Sequence, residues 1–207
     1  MNRDAAGQSE GLFIVVSAPS GTGKTSILKA LMQNCPNIMF SVSYTTRPPR
    51  PGEVDGRDYH FISEQEFRER IAAGEFAEWV ENYGQLYGTS GKTMRAFLEQ
   101  GFDLMLDVEA RGAQALKTNY PGGIFVFVLP PSLAELRKRL GGRGCESEEA
   151  MKRRLDKAVD EIREIGWYDY VIFNDRLEDA VDRLRSIYVA EKSRRERLTE
   201  RIEGFLA

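Results

Sequence analysis

Apolar residues fall along this chain in two alternating rhythms. Short apolar runs at 12–17, 38–43, 103–108, 124–129 and 170–173 predict strands. Amphipathic segments at 24–33, 63–73, 89–100, 109–118, 132–140, 147–165 and 177–194 predict helices. Ser63 with Glu66, and Ser132 with Glu135, have the spacing of a capping box and set two helix starts; Gly74 and Gly101 stand where C-terminal caps belong. Strands separated by helices predict a parallel sheet flanked by helices on both faces, an α/β fold. Residues 44–88 break this rhythm. They are rich in Tyr, Arg, Pro and Gly, with short strand-like pieces at 59–62 and 76–80, and read as an inserted lobe. Residues 141–147, GGRGCES, form a second irregular insert between two helices, and no internal repeat appears.

The first apolar run leads into SAPSGTGKTS at 17–26, and a helix opens near Gly23-Lys24-Thr25. Strand, small-residue loop and helix are the parts of a phosphate-binding loop, in which backbone N–H groups and the positive end of a helix surround nucleotide phosphates. Gly21 and Gly23 let the amides turn inward, Lys24 would reach the β- and γ-phosphates, and the Thr25 hydroxyl suits Mg²⁺. The strict pattern has glycine where this chain has Ala18. An ordinary strand-to-helix turn is the competing reading, and the strand-loop-helix context favours a nucleoside triphosphate.

Composition narrows the partners. The chain has 207 residues and a net charge of −3, which argues against general affinity for nucleic acid or an anionic membrane, so basic clusters should be local and aimed at small anions. Two distant cysteines, Cys35 and Cys145, suggest neither a disulfide framework nor a zinc site and fit a reducing compartment. The first ten residues are polar, and no apolar run approaches the ~20 residues that span a bilayer, so the expectation is a cytoplasmic protein without membrane partners.

Two further basic signals stand out. Arg47-Pro48-Pro49-Arg50-Pro51 places two arginines three residues apart on a proline-stiffened segment, the period of the extended left-handed helix. Two guanidinium forks facing one way suit a phosphate dianion. A solvated basic loop, or a ligand for a proline-reading module, is the alternative. Arg139, Arg143, Arg153 and Arg154 flank the glycines at 141, 142 and 144, so the segment is either a hinge that closes arginines over phosphates or a flexible surface connection.

Together these residues resemble the guanylate kinase family from 13 to about 191. The resemblance is carried by SAPSGTGKTS (17–26), SVSYTTRPPRPGEVDGRDYHF (41–61), GEFAEW (74–79), YGTS (87–90), LDVEARGAQ (106–114), PPSLAELRKRLGGRG (130–144) and Asn174-Asp175. It implies a P-loop nucleoside monophosphate kinase-like sheet, with a flexible tail at 1–10 and a single domain at 11–207. That domain divides into a core at 11–43, 89–140 and 165–207, a GMP-binding lobe at 44–88 and a lid at 141–164. The implied reaction is ATP + GMP = ADP + GDP with Mg²⁺ as cofactor, and use of dGMP as a further acceptor is left open. Self-association is left open.

Carried over by residue, Ala18, Pro19, Ser20, Gly21, Thr22, Gly23, Lys24, Thr25, Ser26 and Asn174 would bind ATP. Arg47, Arg50, Tyr59 and Tyr87 would hold the GMP phosphate, and Ser43, Glu78 and Thr89 would read guanine. Asp107 and Glu109 would lie near the acceptor, with Thr25 and Asp107 serving the metal, partly through water. Lys24, Arg47, Arg139, Arg143 and Arg154 would carry catalysis. Glu109 stands where relatives have aspartate, and Thr89 where some have serine.

The chemistry agrees with these assignments. A carboxylate accepts from guanine N1–H and N2–H at once, whereas adenine would leave Glu78 unpaired. The acceptor phosphate, with a second pKa near 6, is already largely ionised at neutral pH, so the single histidine, His60, need not act as a base and reads as a solvent-side strand residue. A surface carboxylate beside Trp79 and a strand-end cap are the plainer readings of Glu78 and Asp107. Leu177, Val181, Leu184 and Tyr188 read as core packing, and SRRERLTER near the C-terminus as a solvated face. A protein-binding module built on the same fold, or a kinase for another phosphorylated small molecule, are the competing functions. Retention of Gly23-Lys24-Thr25 argues against the first, and Ser43, Glu78 and Thr89 against the second.

Overall fold

The computed structural model describes residues 11–141 and 148–206. In chain order its strands are β1 (Phe13–Ser17), β2 (Ile38–Ser41), β3 (Tyr44–Thr45), β4 (His60–Phe61), β5 (Phe76–Asn82), β6 (Gln85–Ser90), β7 (Asp103–Asp107), β8 (Ile124–Leu129) and β9 (Tyr170–Phe173). Its helices are α1 (Lys24–Asn34), α2 (Glu64–Ala72), α3 (Gly91–Glu99), α4 (Ala110–Asn119), α5 (Leu133–Gly141), α6 (Glu148–Arg163), α7 (Leu177–Lys192) and α8 (Thr199–Leu206). The strands form a five-stranded sheet, ordered β2-β7-β1-β8-β9, and a four-stranded sheet, ordered β4-β3-β6-β5.

The larger sheet is wholly parallel. Successive side chains of β1 point to opposite faces, so one five-residue strand serves two cores. Ile14 and Val16 pack with Ile27, Leu31 and Leu184 beneath α1 and α7. Phe13 and Val15 pack with Met94, Leu98 and Leu116 beneath α3 and α4. β8 divides likewise, with Val126 and Val128 on one side and Phe125 and Phe127 on the other. A third cluster of Leu136, Leu140 and Ala158 joins α5 to α6. No helix among the described residues is long and apolar enough to cross a membrane.

Local signals formed as expected at several helix ends. The hydroxyls of Ser63 and Ser132 accept from the amides of Glu66 and Glu135, each at 3.1 Å. Glu66 and Glu135 themselves reach forward, to Arg70 and Arg139. Gly74 and Gly101, just past their helices, have φ of 65° and 75°.

Elsewhere the structure corrects the reading. The 38–43 run ends at Ser41, which leaves Ser43 in the bridge between β2 and β3. Thr89 is not in a helix: it closes β6 opposite Glu78, and α3 starts at Gly91 with Ser90 Oγ accepting from the Thr93 amide at 3.2 Å. Gly88 masked this strand, because a Cβ there would stand 3.0 Å from the rings of both Phe67 and Phe76, so the close packing of lobe and strand requires glycine. His60 is not on a solvent face; it is half-buried and stacks on Tyr44 with centroids 4.6 Å apart. Leu177, expected in the core, is 39% exposed, while Leu184 of the same helix is fully buried. The solvated run near the C-terminus leads into α8. The tail at 1–10, and Gly142, Arg143, Gly144, Cys145 and Ser147 of the second insert, lie outside the described residues.

Candidate functional site

The C-terminal edge of the parallel sheet assembles the first half of the site. After β1 the chain turns through Ala18 to Gly23 into α1, with φ of 90° at Gly21 and 97° at Gly23, left-handed values natural to glycine. A Cβ at Gly23 would also stand 2.6 Å from Asn174 Nδ2. The loop is held from behind: the Thr22 carbonyl accepts from Asn174 Nδ2 at 2.7 Å and from the Arg139 guanidinium at 3.1 Å. Asn174, buried, therefore serves the loop backbone directly. The Thr22 hydroxyl is buried with no partner among the described residues, and Thr25 and Ser26 are exposed on the first turn of α1. Beside the loop lies a cleft of about 410 Å³ lined by Gly21, Gly23, Ser26, Arg139, Asn174, Asp175 and Leu177. That position explains why Leu177 is exposed.

The parallel register of β1 and β7 pairs Val16 with Asp107, so the end of β7 stands next to the loop. The Lys24 ammonium forms an ion pair with the Asp107 carboxylate and lies 3.4 Å from the Val108 carbonyl. Both side chains are largely enclosed, which strengthens their attraction relative to water. Asp107 thus pairs with the lysine that opens α1, and its carboxylate and the Thr25 hydroxyl are hard oxygen donors of the kind that could hold a divalent cation.

The smaller sheet assembles the second half. Arg47 lies inward, its guanidinium donating to Glu53 at 2.9 Å and to the Pro48 carbonyl at 2.7 Å, with Tyr59 and Phe61 rings beneath it at 5.4 and 5.8 Å. Burial opposes its charge, but Glu53 and Tyr87 more than offset this and hold its pKa above the ordinary value. Arg50 does not lie parallel to it. The chain turns at Arg50–Glu53, where Gly52 has φ of 86°, so the Arg50 side chain is exposed while its amide donates to Glu53 at 2.7 Å. Tyr59 meets Tyr87 edge-on at 6.1 Å. Burial, and then the charge of Asp107, raise the Tyr59 pKa, so the arginine-tyrosine cluster senses the end of β7.

Glu78 is the least expected group by exposure, for it is only 6% exposed on β5 while its neighbour Trp79 points outward at 45%. This removes the surface-carboxylate reading. Glu78 Oε1 accepts from the Thr89 hydroxyl at 2.6 Å, whereas Oε2 is buried without any partner among the described residues. Burial is the main reason that the Glu78 pKa rises to about 7, with the charge of Glu109 adding to it.

These two halves, a phosphate loop with an opposing acidic residue and a lobe carrying a buried carboxylate, invite comparison with known proteins. The guanylate kinase family model matches residues 11–191. A guanylate kinase of Syntrophus aciditrophicus is 62% identical over 206 residues, covering 100% of this chain and 99% of that protein. One of Geobacter metallireducens is 50% identical over 193 residues, covering 93% and 95%. The chain belongs to the guanylate kinase family. The crystal structure of guanylate kinase from Anaplasma phagocytophilum shares the fold at a TM-score of 0.76, with 32% identity over 94% of this chain and 96% of that one.

Other family positions fall around these halves. Ser43 is half-buried and its carbonyl accepts from the His60 amide at 2.9 Å, which ties the entry of the lobe to β4. Arg154 is half-buried on α6, and Arg143 lies outside the described residues. Glu109 is held by the Asn82 amide at Oε1 and by Lys157 at Oε2, the latter at 3.0 Å.

Neither Gly112 nor Lys157 was singled out from the sequence. A Cβ at Gly112 would stand 2.2 Å from Glu78 Oε2 and 2.7 Å from Val108 Cγ1, so α4 approaches the buried carboxylate only because that side chain is absent. A glycine inside a helical segment, where it costs about 1 kcal/mol relative to alanine, was the available signal. Gly112→Ala is expected to raise KM for GMP about tenfold or more while KM for ATP holds, as steady-state kinetics with each substrate varied will measure.

Proposed function

We propose that the chain catalyses ATP + GMP = ADP + GDP and that it works in the cytoplasm. It is an enzyme, a nucleoside monophosphate kinase. The observation that carries the guanine assignment is the unpartnered Oε2 of Glu78 beside the Thr89-bonded Oε1. A buried acceptor atom without a donor is costly by about 1–3 kcal/mol, and guanine N1–H and N2–H supply donors where adenine does not.

Each half of the site holds one nucleotide. Backbone amides of the 18–23 loop and the start of α1 receive the triphosphate, and Lys24 exchanges Asp107 for phosphate oxygens. Arg47, Tyr59 and Tyr87 hold the acceptor phosphate, with Arg50 folding in from its exposed position. Thr25 and Asp107 would hold Mg²⁺, partly through water, and the ion would supply charge neutralisation. The acceptor oxygen needs no base, since its second pKa is near 6. Catalysis then rests on alignment and on cations facing the transferred group, with Arg139 and Arg154 approaching from α5 and α6.

The test is ADP release, coupled to an optical readout, with GMP, AMP, CMP and UMP in turn. GMP is expected to exceed the others by roughly 10²-fold or more in kcat/KM. Comparable rates with AMP would reject the guanine assignment.

A further inference from the structure

A lysine on the lid-side helix closes a polar junction that the proposed reaction does not use. Lys157 Nζ donates to Asn82 Oδ1 at 2.6 Å and to Glu109 Oε2 at 3.0 Å, and lies 3.5 Å from Glu161 Oε1. The Asn82 amide donates in turn to Glu109 Oε1. One ammonium thus joins α6, the tip of the β5–β6 hairpin and the start of α4. The hairpin tip adds an independent observation. Tyr83 is the single non-glycine residue with positive φ among the described residues, at 51°, and its ring stands 5.0 Å from Lys157 Nζ. A left-handed backbone is strained for tyrosine, and the contact with the lysine helps to hold it.

The charges say what the junction does. Glu109 lies close enough to Glu78 to act on its ionisation, and close enough to Glu161 to do the same. Three carboxylates therefore crowd this end of the acceptor lobe, and the cation in direct contact with two of them is Lys157. Glu109 sits at the N-cap position of α4 yet makes no side-chain cap bond; its carboxylate is bonded to Asn82 and Lys157 instead. A carboxylate has about four lone-pair sites, so the two bonds orient Glu109 without exhausting it.

We propose that Lys157 is a positioning residue for the acceptor purine, holding Glu109 oriented beside Glu78 and tying α6 to the acceptor lobe before either nucleotide binds. This rests on the reading of Glu78 and Thr89 as the guanine site. The interaction is directional: among the described residues the hydrogen bonds of Lys157 go to Asn82 and Glu109 on the acceptor side, and none goes to the phosphate loop.

Steady-state kinetics on the full chain, with ATP and GMP varied separately, test this. Lys157→Met is expected to raise KM for GMP about tenfold, the scale of the charge-assisted bond that orients Glu109, while KM for ATP moves less than about twofold. Lys157→Arg restores most of the affinity by returning the charge. Asn82→Ala, which removes another corner of the junction, shifts KM for GMP in the same direction. In a Glu109→Gln background, Lys157→Met adds little, because the group it orients is already altered. An unchanged KM for GMP in both Lys157→Met and Asn82→Ala, an equal shift in KM for ATP, or full additivity with Glu109→Gln overturns the proposal. Glu78→Gln serves as the reference: if it leaves KM for GMP unmoved, the guanine site itself is misplaced; if it raises KM while Lys157→Met does not, only the role of Lys157 fails.

Discussion

Lys24→Ala is expected to lower kcat by a factor on the order of 10²–10³ while GMP still binds. The reasoning starts from the ion pair with Asp107. A lysine at the first position of α1, enclosed and already desolvated, is placed to meet negative charge that develops between the two nucleotides. The Arg47-Tyr59-Tyr87 cluster and Glu78 belong to the lobe of the other sheet, and among the described residues their hydrogen bonds and ring contacts do not involve Lys24. Removal of the ammonium should therefore act on the transferred group and spare the acceptor site. Rapid-quench turnover together with calorimetric titration of GMP separates the two effects. A weakened GMP affinity with a near-normal kcat would place Lys24 in acceptor binding and overturn the assignment.

Glu78→Gln should raise KM for GMP on the order of 10²-fold, since the amide puts N–H groups where guanine also presents N–H groups. The pH dependence gives a second readout. In the free protein the Glu78 pKa is raised from 4.5 to about 7, mainly by burial. Guanine donors favour the ionised form, so GMP binding lowers that pKa, and affinity rises with pH until about 7 and then levels off. Below that value the slope approaches tenfold per pH unit. In Glu78→Gln this limb disappears, leaving the shallower one that belongs to the phosphate near pH 6.

The sign for stability is opposite. A carboxyl whose folded pKa is raised favours folding below pH 4.5, and that contribution is lost as pH rises through about 7. At about 1.4 kcal/mol per pH unit, the ionised group costs the ligand-free fold about 3 kcal/mol at pH 8. The glutamine variant should accordingly melt higher than the parent at pH 8, with the gap closing as pH falls towards 5. Thermal denaturation across that range measures it, and a gap that persists at pH 5 would refute burial as the cause.

Much of this site was legible because its signals are local. Glycines at 21 and 23, the lysine and threonine that follow, and the preceding apolar strand all lie within 12–28, where spacing alone predicts loop and helix. The arginines at 47 and 50 could be read as a pair, yet their orientations could not, since the turn at Gly52 separates them. The amphipathic pattern of 89–100 reads as helix from Thr89 onward, yet pairing with Glu78 of β5 puts Thr89 in a strand. Gly112 and Lys157 have no local pattern that reports their roles, for each acts on residues more than thirty positions away.

By itself, then, the order of residues determined the α/β class, the phosphate loop and the types of side chain available for the acceptor, because these follow from periodicity and from short motifs. The tertiary structure alone decided that Glu78 is buried with one oxygen unpaired, that Asp107 faces Lys24, and that Lys157 reaches Glu109. Burial and charge proximity are properties of three-dimensional packing. They arise only when strands and helices distant in sequence have been brought against one another.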